Sequence, residues 1–153
     1  MVICTIRNNI VILFFKISCH SVSVFFIENN YTFDYLKKNI LQFENKNILI
    51  VSLEKLINST IIEKKLKVLV LKSSFFRNLF FLTLNCKRLI TTTPNLNIEN
   101  TFFRRSLINK KISYEYVHHT LVSMTTIYNS RAFLNFDTIH VPTKYHIGDI
   151  DAL

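Results

Sequence analysis

Glycine is almost absent from this chain, which contains a single one, Gly148, among 153 residues. Phosphate-binding loops and dinucleotide-binding turns need several closely spaced glycines, because only glycine lets the backbone approach a phosphate group closely. The G-x-S-x-G turn of the α/β-hydrolases is missing as well. No pair of carboxylates lies near a convincing general base, so the sequence indicates a protein that is not an enzyme and needs no cofactor.

Residue usage is strongly biased, with 14 Phe, two Pro and no Trp, and with Ile and Asn plainly over-used. The abundant residue types have A/T-rich codons and the scarce types have G/C-rich codons. This bias indicates an AT-rich genome, of which organelle genomes are a common kind. We therefore expect an organelle-encoded, mitochondrial protein; the gene of an AT-rich microbe is the alternative.

The net charge of +9 is concentrated in the middle of the chain. Residues 67–131 carry ten Lys/Arg against two Asp/Glu, whereas residues 1–66 carry eight against five and residues 132–153 carry one against three. A cationic block of this kind is typical of proteins that bind a phosphate backbone, because each base neutralises a phosphate and releases counterions. The sequence thus favours a nucleic-acid partner.

The cysteines and histidines do not predict a metal site. The three cysteines lie far apart and include no C-x-x-C pair, so we expect small buried hydrophobic side chains. The pair His118 and His119, together with His140 and His146, fits no common metal-ligand spacing.

Apolar periodicity predicts a chain of mixed helices and strands. The stretch 8–27 has the length of a membrane span, about 20 residues, but Lys16 lies in its middle and residues 21–24 (SVSV) alternate as in a strand. The predicted strands are near 10–17 and 22–27, and at 47–53, 66–72, 112–117, 120–124 and 133–141. The predicted helices are 32–45, 54–65 and 75–90, the last with Ser73 or Ser74 as its N-cap.

Basic and aromatic residues alternate over 101–119 in a pattern that suits RNA. Arginine and lysine pair with phosphates, and aromatic rings stack on unpaired bases. The alternative is a solvated turn whose aromatic residues belong to the edge of a core. The residues in question are Phe102, Phe103, Arg104, Arg105, Lys110, Lys111, Tyr114 and Tyr116.

Two motifs within residues 67–141 occur in the order of a known family. Residues 67–73 (KVLVLKS) precede the predicted helix 75–90, and residues 120–123 (TLVS) are followed by Ser130 and Arg131 with Phe133 nearby. This order resembles the small-subunit ribosomal protein family numbered ten, which has K-I-R-I-x-L-K-S/A before a helix and later T-V-L-x-S-P-H-V-x-K-x-S-R-x-x-F/Y. The family's Pro-His is replaced here by Thr-Thr at 125–126, and the family's last helix and strand have no counterpart.

The resemblance implies an α+β fold, a ferredoxin-like sandwich with a long basic hairpin at about 95–120 that reaches into ribosomal RNA. The domain would occupy residues 66–153, truncated at its C-terminal end, after an N-terminal α/β extension at 1–65. The implied function is a structural constituent of the small subunit of a mitochondrial ribosome, with ribosomal RNA and neighbouring ribosomal proteins as partners and no small-molecule substrate. The predicted RNA-binding residues are Lys87, Arg88, Arg104, Arg105, Lys110, Lys111, His118 and Arg131.

Two other functions remain open from the sequence. An accessory subunit of an organellar respiratory or ATP-synthase complex would need an unbroken helix of about 20 residues over 8–27. A free-standing RNA-binding factor would have to be soluble alone, which the apolar content of 49% does not favour.

Overall fold

A parallel β-sheet is the centre of the computed structural model, which describes residues 19–42, 48–56, 66–94, 111–120, 122–128 and 131–152. Within these residues the strands are β1 (Cys19–Ile27), β2 (Ile48–Ser52), β3 (Lys67–Val70), β4 (Cys86–Thr91), β5 (Ser113–Val117) and β6 (Thr138–His140). The helices are α1 (Asn30–Gln42), α2 (Ser74–Leu82), α3 (Met124–Ile127) and α4 (Tyr145–Asp151).

The strand order is β3-β2-β1-β4-β5-β6, and every neighbouring pair is parallel. Strand β1 is central, since Phe25 is paired with Ile50 of β2 on one side and with Ile90 of β4 on the other. All six strands therefore end at one edge of the sheet, called here the carboxyl edge, and begin at the opposite amino edge.

Both faces of the central strands are buried, as expected for a parallel sheet covered by helices. On one face Phe26 packs against Phe81 of α2, with ring centroids 5.4 Å apart in an edge-on arrangement. On the other face Phe25 belongs to the cluster formed by Phe33 and Leu36 of α1. The apolar run at the end of β1 thus supplies both halves of the core.

Most of the predicted elements that fall on described residues are confirmed. They are the strands predicted at 22–27, 47–53, 66–72 and 112–117, which are β1, β2, β3 and β5, and the helix predicted at 32–45, which is α1. The strand predicted at 133–141 is shorter, because 131–135 are turns and only β6 is extended. The strand near 10–17 and most of the helix at 54–65 lie outside the described residues.

The helix predicted at 75–90 is wrong in its second half, because α2 ends at Leu82 and Cys86–Thr91 is the strand β4. Thr83 closes the helix, and its hydroxyl donates to the carbonyl of Leu79 at 2.8 Å. The all-round apolar pattern that predicted one buried helix instead belongs to a helix followed by a buried strand. Ser73 is the N-cap residue as predicted, but its side chain makes no capping hydrogen bond.

The expected ferredoxin-like sandwich, which has an antiparallel sheet, is also wrong, although the chain does combine helices with a sheet. The basic hairpin predicted at about 95–120 lies mostly outside the described residues. Its described end carries β5, which is parallel to β4 and therefore does not form a hairpin with it. The strand predicted at 120–124 is absent from the described part of this segment. Met124 begins α3 there and is fully buried beneath Tyr116.

The predicted boundary at residue 66 falls within the sheet, because β2 from the first segment pairs with β3 from the second. The long helix over 8–27 that a membrane subunit would need is not formed, since 19–27 are the strand β1. Of the helices among the described residues, not one combines the length and the apolar character that a bilayer crossing requires.

Candidate nucleic-acid interface

The strand order reverses between β1 and β4, the position at which doubly wound sheets bind dinucleotides, with the phosphates at the N-terminus of the following helix. Here that helix is α1, and a carboxylate of the same chain covers its first turn. The backbone N and the side-chain Nδ2 of Asn30 each donate to Glu54 Oε1 at 2.9 Å. Asn29 and Thr32 cap the same turn, with Thr32 N donating to Asn29 Oδ1 at 2.9 Å. Residues 28–32, which join β1 to the first turn of α1, contain no glycine, so the backbone lacks the close approach that the phosphates of a dinucleotide require.

Two exposed lysines mark the amino edge of the sheet, and they are called here the amino-edge lysines. Lys87 is the second residue of β4, and Lys111 lies two residues before β5. Arg88 is paired in register with Ser113, which aligns Lys87 with Ile112 and places Lys111 one residue further toward the amino edge, just before β5. Both lysines therefore lie in the same region of the amino edge, since neighbouring strands are about 4.8 Å apart. Among the other predicted RNA-binding residues, Arg104, Arg105 and Lys110 lie outside the described residues.

Arg88, by contrast, is engaged inside the sheet. Its Nε and Nη2 donate to the two carboxylate oxygens of Glu115 on β5, and the Glu115 side chain is 6% exposed. His140 Nε2 lies 2.9 Å from Glu115 Oε2 on the other side. Burial tends to raise the pKa of Glu115, but the hydrogen bonds from Arg88 and His140 outweigh it and hold that pKa below its usual value. This internal pairing does not favour the predicted contact of Arg88 with phosphate.

His118 lies at the opposite edge of the sheet from the amino-edge lysines. His118 follows β5 at the carboxyl edge, is 3% exposed, and its Nε2 lies 3.1 Å from the Thr120 hydroxyl. Burial lowers the pKa of His118, which favours a neutral imidazole, so its placement does not favour a phosphate contact. Arg131 is exposed in the turn that precedes β6.

A groove of about 310 Å³ lies between α1 and the carboxyl ends of β5 and β6, and it is called here the α1–β5 groove. Tyr35 and Asn39, one turn apart on α1, form one wall. His119 and Thr120 after β5, and His140 at the end of β6, form the other. Sequence reasoning noticed these histidines only as unsuitable metal ligands, and it missed Tyr35, Asn39 and Thr120. The groove could have been predicted only once the parallel arrangement of β5 and β6 was known.

An aromatic row borders the groove. The ring of Tyr35 lies 5.0 Å from the ring of His119 and 4.9 Å from the ring of Tyr31, the latter in an edge-on arrangement. The hydroxyls of Tyr31 and Tyr35 are hydrogen-bonded at 2.6 Å, which restricts both side chains. Burial lowers the pKa of His119, so its imidazole is favoured in the neutral form. The groove is therefore aromatic and polar rather than cationic.

Over the part of the chain that the structure describes, no three His, Cys, Asp or Glu side chains are arranged to hold a metal ion. Comparisons of the chain with protein-family models, with curated proteins and with solved structures gave no match. The chemistry of the amino-edge lysines and of the α1–β5 groove is therefore the basis for assigning a function.

Proposed function

We propose that this chain is a non-catalytic, RNA-binding constituent of the small subunit of an organellar, mitochondrial ribosome. One observation carries the proposal: Lys87 and Lys111 are both exposed and lie near the amino edge of the sheet, on neighbouring segments of the chain. Lys111 directly follows the segment whose sequence adds Arg104, Arg105 and Lys110. Together these residues supply the concentrated positive charge that a phosphate backbone favours.

The distribution of acidic residues supports the same partner. Residues 67–131 contain only two acids, Glu99 and Glu115. Glu115 is already paired with Arg88 and His140, so its negative charge is neutralised within the sheet. The block 67–131 therefore carries a large excess of positive charge beyond what its two acids can neutralise, as binding to RNA requires.

The RNA-binding part of the proposal rests on charge and on the apolar composition with its AT-rich codon bias, which suits a protein kept soluble by its assembly. The assignment to the small subunit rests on the resemblance to the ribosomal family numbered ten, whose antiparallel sheet this chain does not share. An accessory subunit of a membrane complex is the weaker candidate, since β1 places 19–27 at the centre of a sheet rather than in a bilayer.

Sedimentation of a gentle organelle lysate on a sucrose gradient, with and without RNase, tests the assembly. We expect the chain to migrate with the small ribosomal subunit and to leave that fraction after RNase treatment. Migration with a detergent-solubilised membrane complex, unchanged by RNase, would overturn the proposal.

Salt dependence of RNA binding tests the surface itself. For single-stranded RNA each phosphate contact contributes about 0.7 to the slope of log affinity against log salt, so the double substitution Lys87→Gln and Lys111→Gln should lower that slope by about 1.4. The matched control is Lys38→Gln with Lys55→Gln, which removes the same charge from exposed positions elsewhere. Equal slopes for the two double variants would show that the amino-edge lysines do not contact phosphate.

A further inference from the structure

We infer that the α1–β5 groove binds one unpaired nucleobase of the RNA partner. This inference rests on the proposed function and adds a second contact, at the edge of the sheet opposite the amino-edge lysines. The partner it defines is a single-stranded or looped segment, because a base inside a duplex cannot turn its face to a protein ring.

The aromatic wall of the groove supplies a stacking surface. Tyr35 is 40% exposed although it is a large ring, and it faces the cavity. Contacts with Tyr31 and His119 hold the Tyr35 ring in place, so little side-chain freedom is lost when a ligand stacks on it. Stacking on an aromatic side chain tolerates any base, because every base has a π-face.

The polar groups of the groove suit the edge of a base. Asn39 carries an amide with both donors and an acceptor, the pairing that recognises the hydrogen-bonding edge of a base. His140 contacts Glu115 through Nε2, which fixes the ring and leaves Nδ1 as the nitrogen for a ligand. Thr120 adds a hydroxyl to the same lining.

The charge of the groove does not suit a phosphate group. Burial favours neutral imidazoles at His118 and His119, the carboxylates of Asp149 and Glu28 act on these two histidines, and Glu115, which contacts His140, is paired with Arg88. A neutral, planar group with hydrogen-bonding edges fits this setting better than an anion does. The phosphates of the same RNA segment would be held by cations elsewhere on the chain.

The full-length chain, which contains no tryptophan, allows a direct test. In Tyr35→Trp the only indole reports on the groove. We expect its fluorescence to be quenched by a single-stranded RNA oligomer and not by an oligomer of the same length made of abasic ribose-phosphate units. Tyr145→Trp is the matched control, because Tyr145 is 80% exposed on α4 and does not line the groove. Equal quenching by both oligomers, or equal quenching in both variants, would overturn the inference.

Affinity measurements separate this inference from the proposed function. Tyr35→Ala should weaken RNA binding roughly 10-fold or more, with an unchanged salt slope, whereas Tyr35→Phe should retain the affinity because the ring remains. If Tyr35→Ala binds RNA with the affinity of the wild-type chain, the groove does not bind a base. If the double variant of the amino-edge lysines still has a lower salt slope, the proposed function stands. If the unchanged chain binds no RNA at all, the proposed function fails, and the groove proposal with it. If an RNase-treated protein fraction quenches the fluorescence of Tyr35→Trp, the groove binds a protein partner instead of a base.

Discussion

His140 Nε2 of β6 lies 2.9 Å from the carboxylate of Glu115 on β5, on the face of the sheet that α1 covers. The same carboxylate receives both Nε and Nη2 of Arg88 from β4. Glu115 therefore connects the three strands on one side of β1 through side chains, in addition to their backbone hydrogen bonds. Glu115 and Arg88 thus form a structural ion pair on this half of the sheet, whereas the other half has an apolar core.

Glu115→Gln should destabilise the fold by about 2 kcal/mol, because the Arg88 guanidinium then loses its charged partner in a partly desolvated site. Urea unfolding measures the change. A double-mutant cycle with Arg88→Met isolates the interaction, and the two substitutions together should cost less than the sum of the separate costs. Strict additivity of the two changes would show that the pair contributes nothing to stability.

Acid should destabilise the protein in two stages. Unfolded histidines titrate at about pH 6.5, whereas burial lowers the pKa of His118 and His119 in the fold, so the unfolded state binds protons first and stability falls as the pH drops below that value. The lowered pKa of Glu115 adds a second loss as the pH falls below about 4.3, the pKa of an unfolded glutamate.

The urea concentration at the midpoint of unfolding, measured across this pH range, should fall in both stages. Glu115→Gln should remove the loss at the lower pH and keep the loss near neutrality. His119→Gln should reduce the loss of stability between neutral and mildly acidic pH and should keep the loss at the lower pH. A midpoint independent of pH between about 7 and 5 would contradict the burial of neutral imidazoles.

The first turn of α1 should depend on its own cap. Asn29→Ala removes the side-chain acceptor for Thr32 N and should cost about 1 kcal/mol of stability. Lys38→Ala on the exposed side of α1 is the control and should change stability by less than about 0.5 kcal/mol. Thermal unfolding of the two variants measures the difference, and equal stabilities would show that the cap is not formed.

Hydrogen exchange should reveal the order of the strands. The amides of Phe25 and Phe26 in central β1 should exchange only on global unfolding, whereas those of Val68 in β3 and Ile139 in β6, the two outermost strands described, should exchange faster by local opening. Mass spectrometry of peptides from each strand resolves the difference. Fast exchange throughout 19–27 would contradict the central position of β1.

The local spacing of apolar residues predicted several elements correctly, because apolar side chains are the ones that the fold buries. The spacing of Tyr35, Leu36 and Ile40 predicts one apolar face for α1; Leu36 and Ile40 are buried against the sheet, whereas Tyr35 is 40% exposed and lines the groove. The apolar runs at β1 and β2 predict buried strands for the same reason. Pattern failed at Cys86–Thr91, because Cys86 and Leu89 continue the three- and four-residue spacing of the apolar residues in α2 although they belong to the strand β4.

The candidate sites were predicted only in part. Lys87 and Lys111 could be identified from charge alone, since exposed cations need no specific neighbours to attract phosphate. Arg88 is adjacent in sequence and equally basic, but its pairing with Glu115 depends on the register of β4 and β5. The groove wall at Tyr35 carries no sequence signal at all, because its partners come from strands that lie more than 80 residues away.

By itself the sequence determined the concentration of positive charge, the apolar segments and the amphipathic face of α1, all of which depend on residue type and short-range spacing. Only the tertiary structure decided that the strands run parallel, that Glu115 joins Arg88 to His140, and that Tyr35 meets His119 beside a groove. The physical reason is that strand direction and register are set by long-range pairing and by the connections between strands. Those interactions leave no local periodicity in the chain.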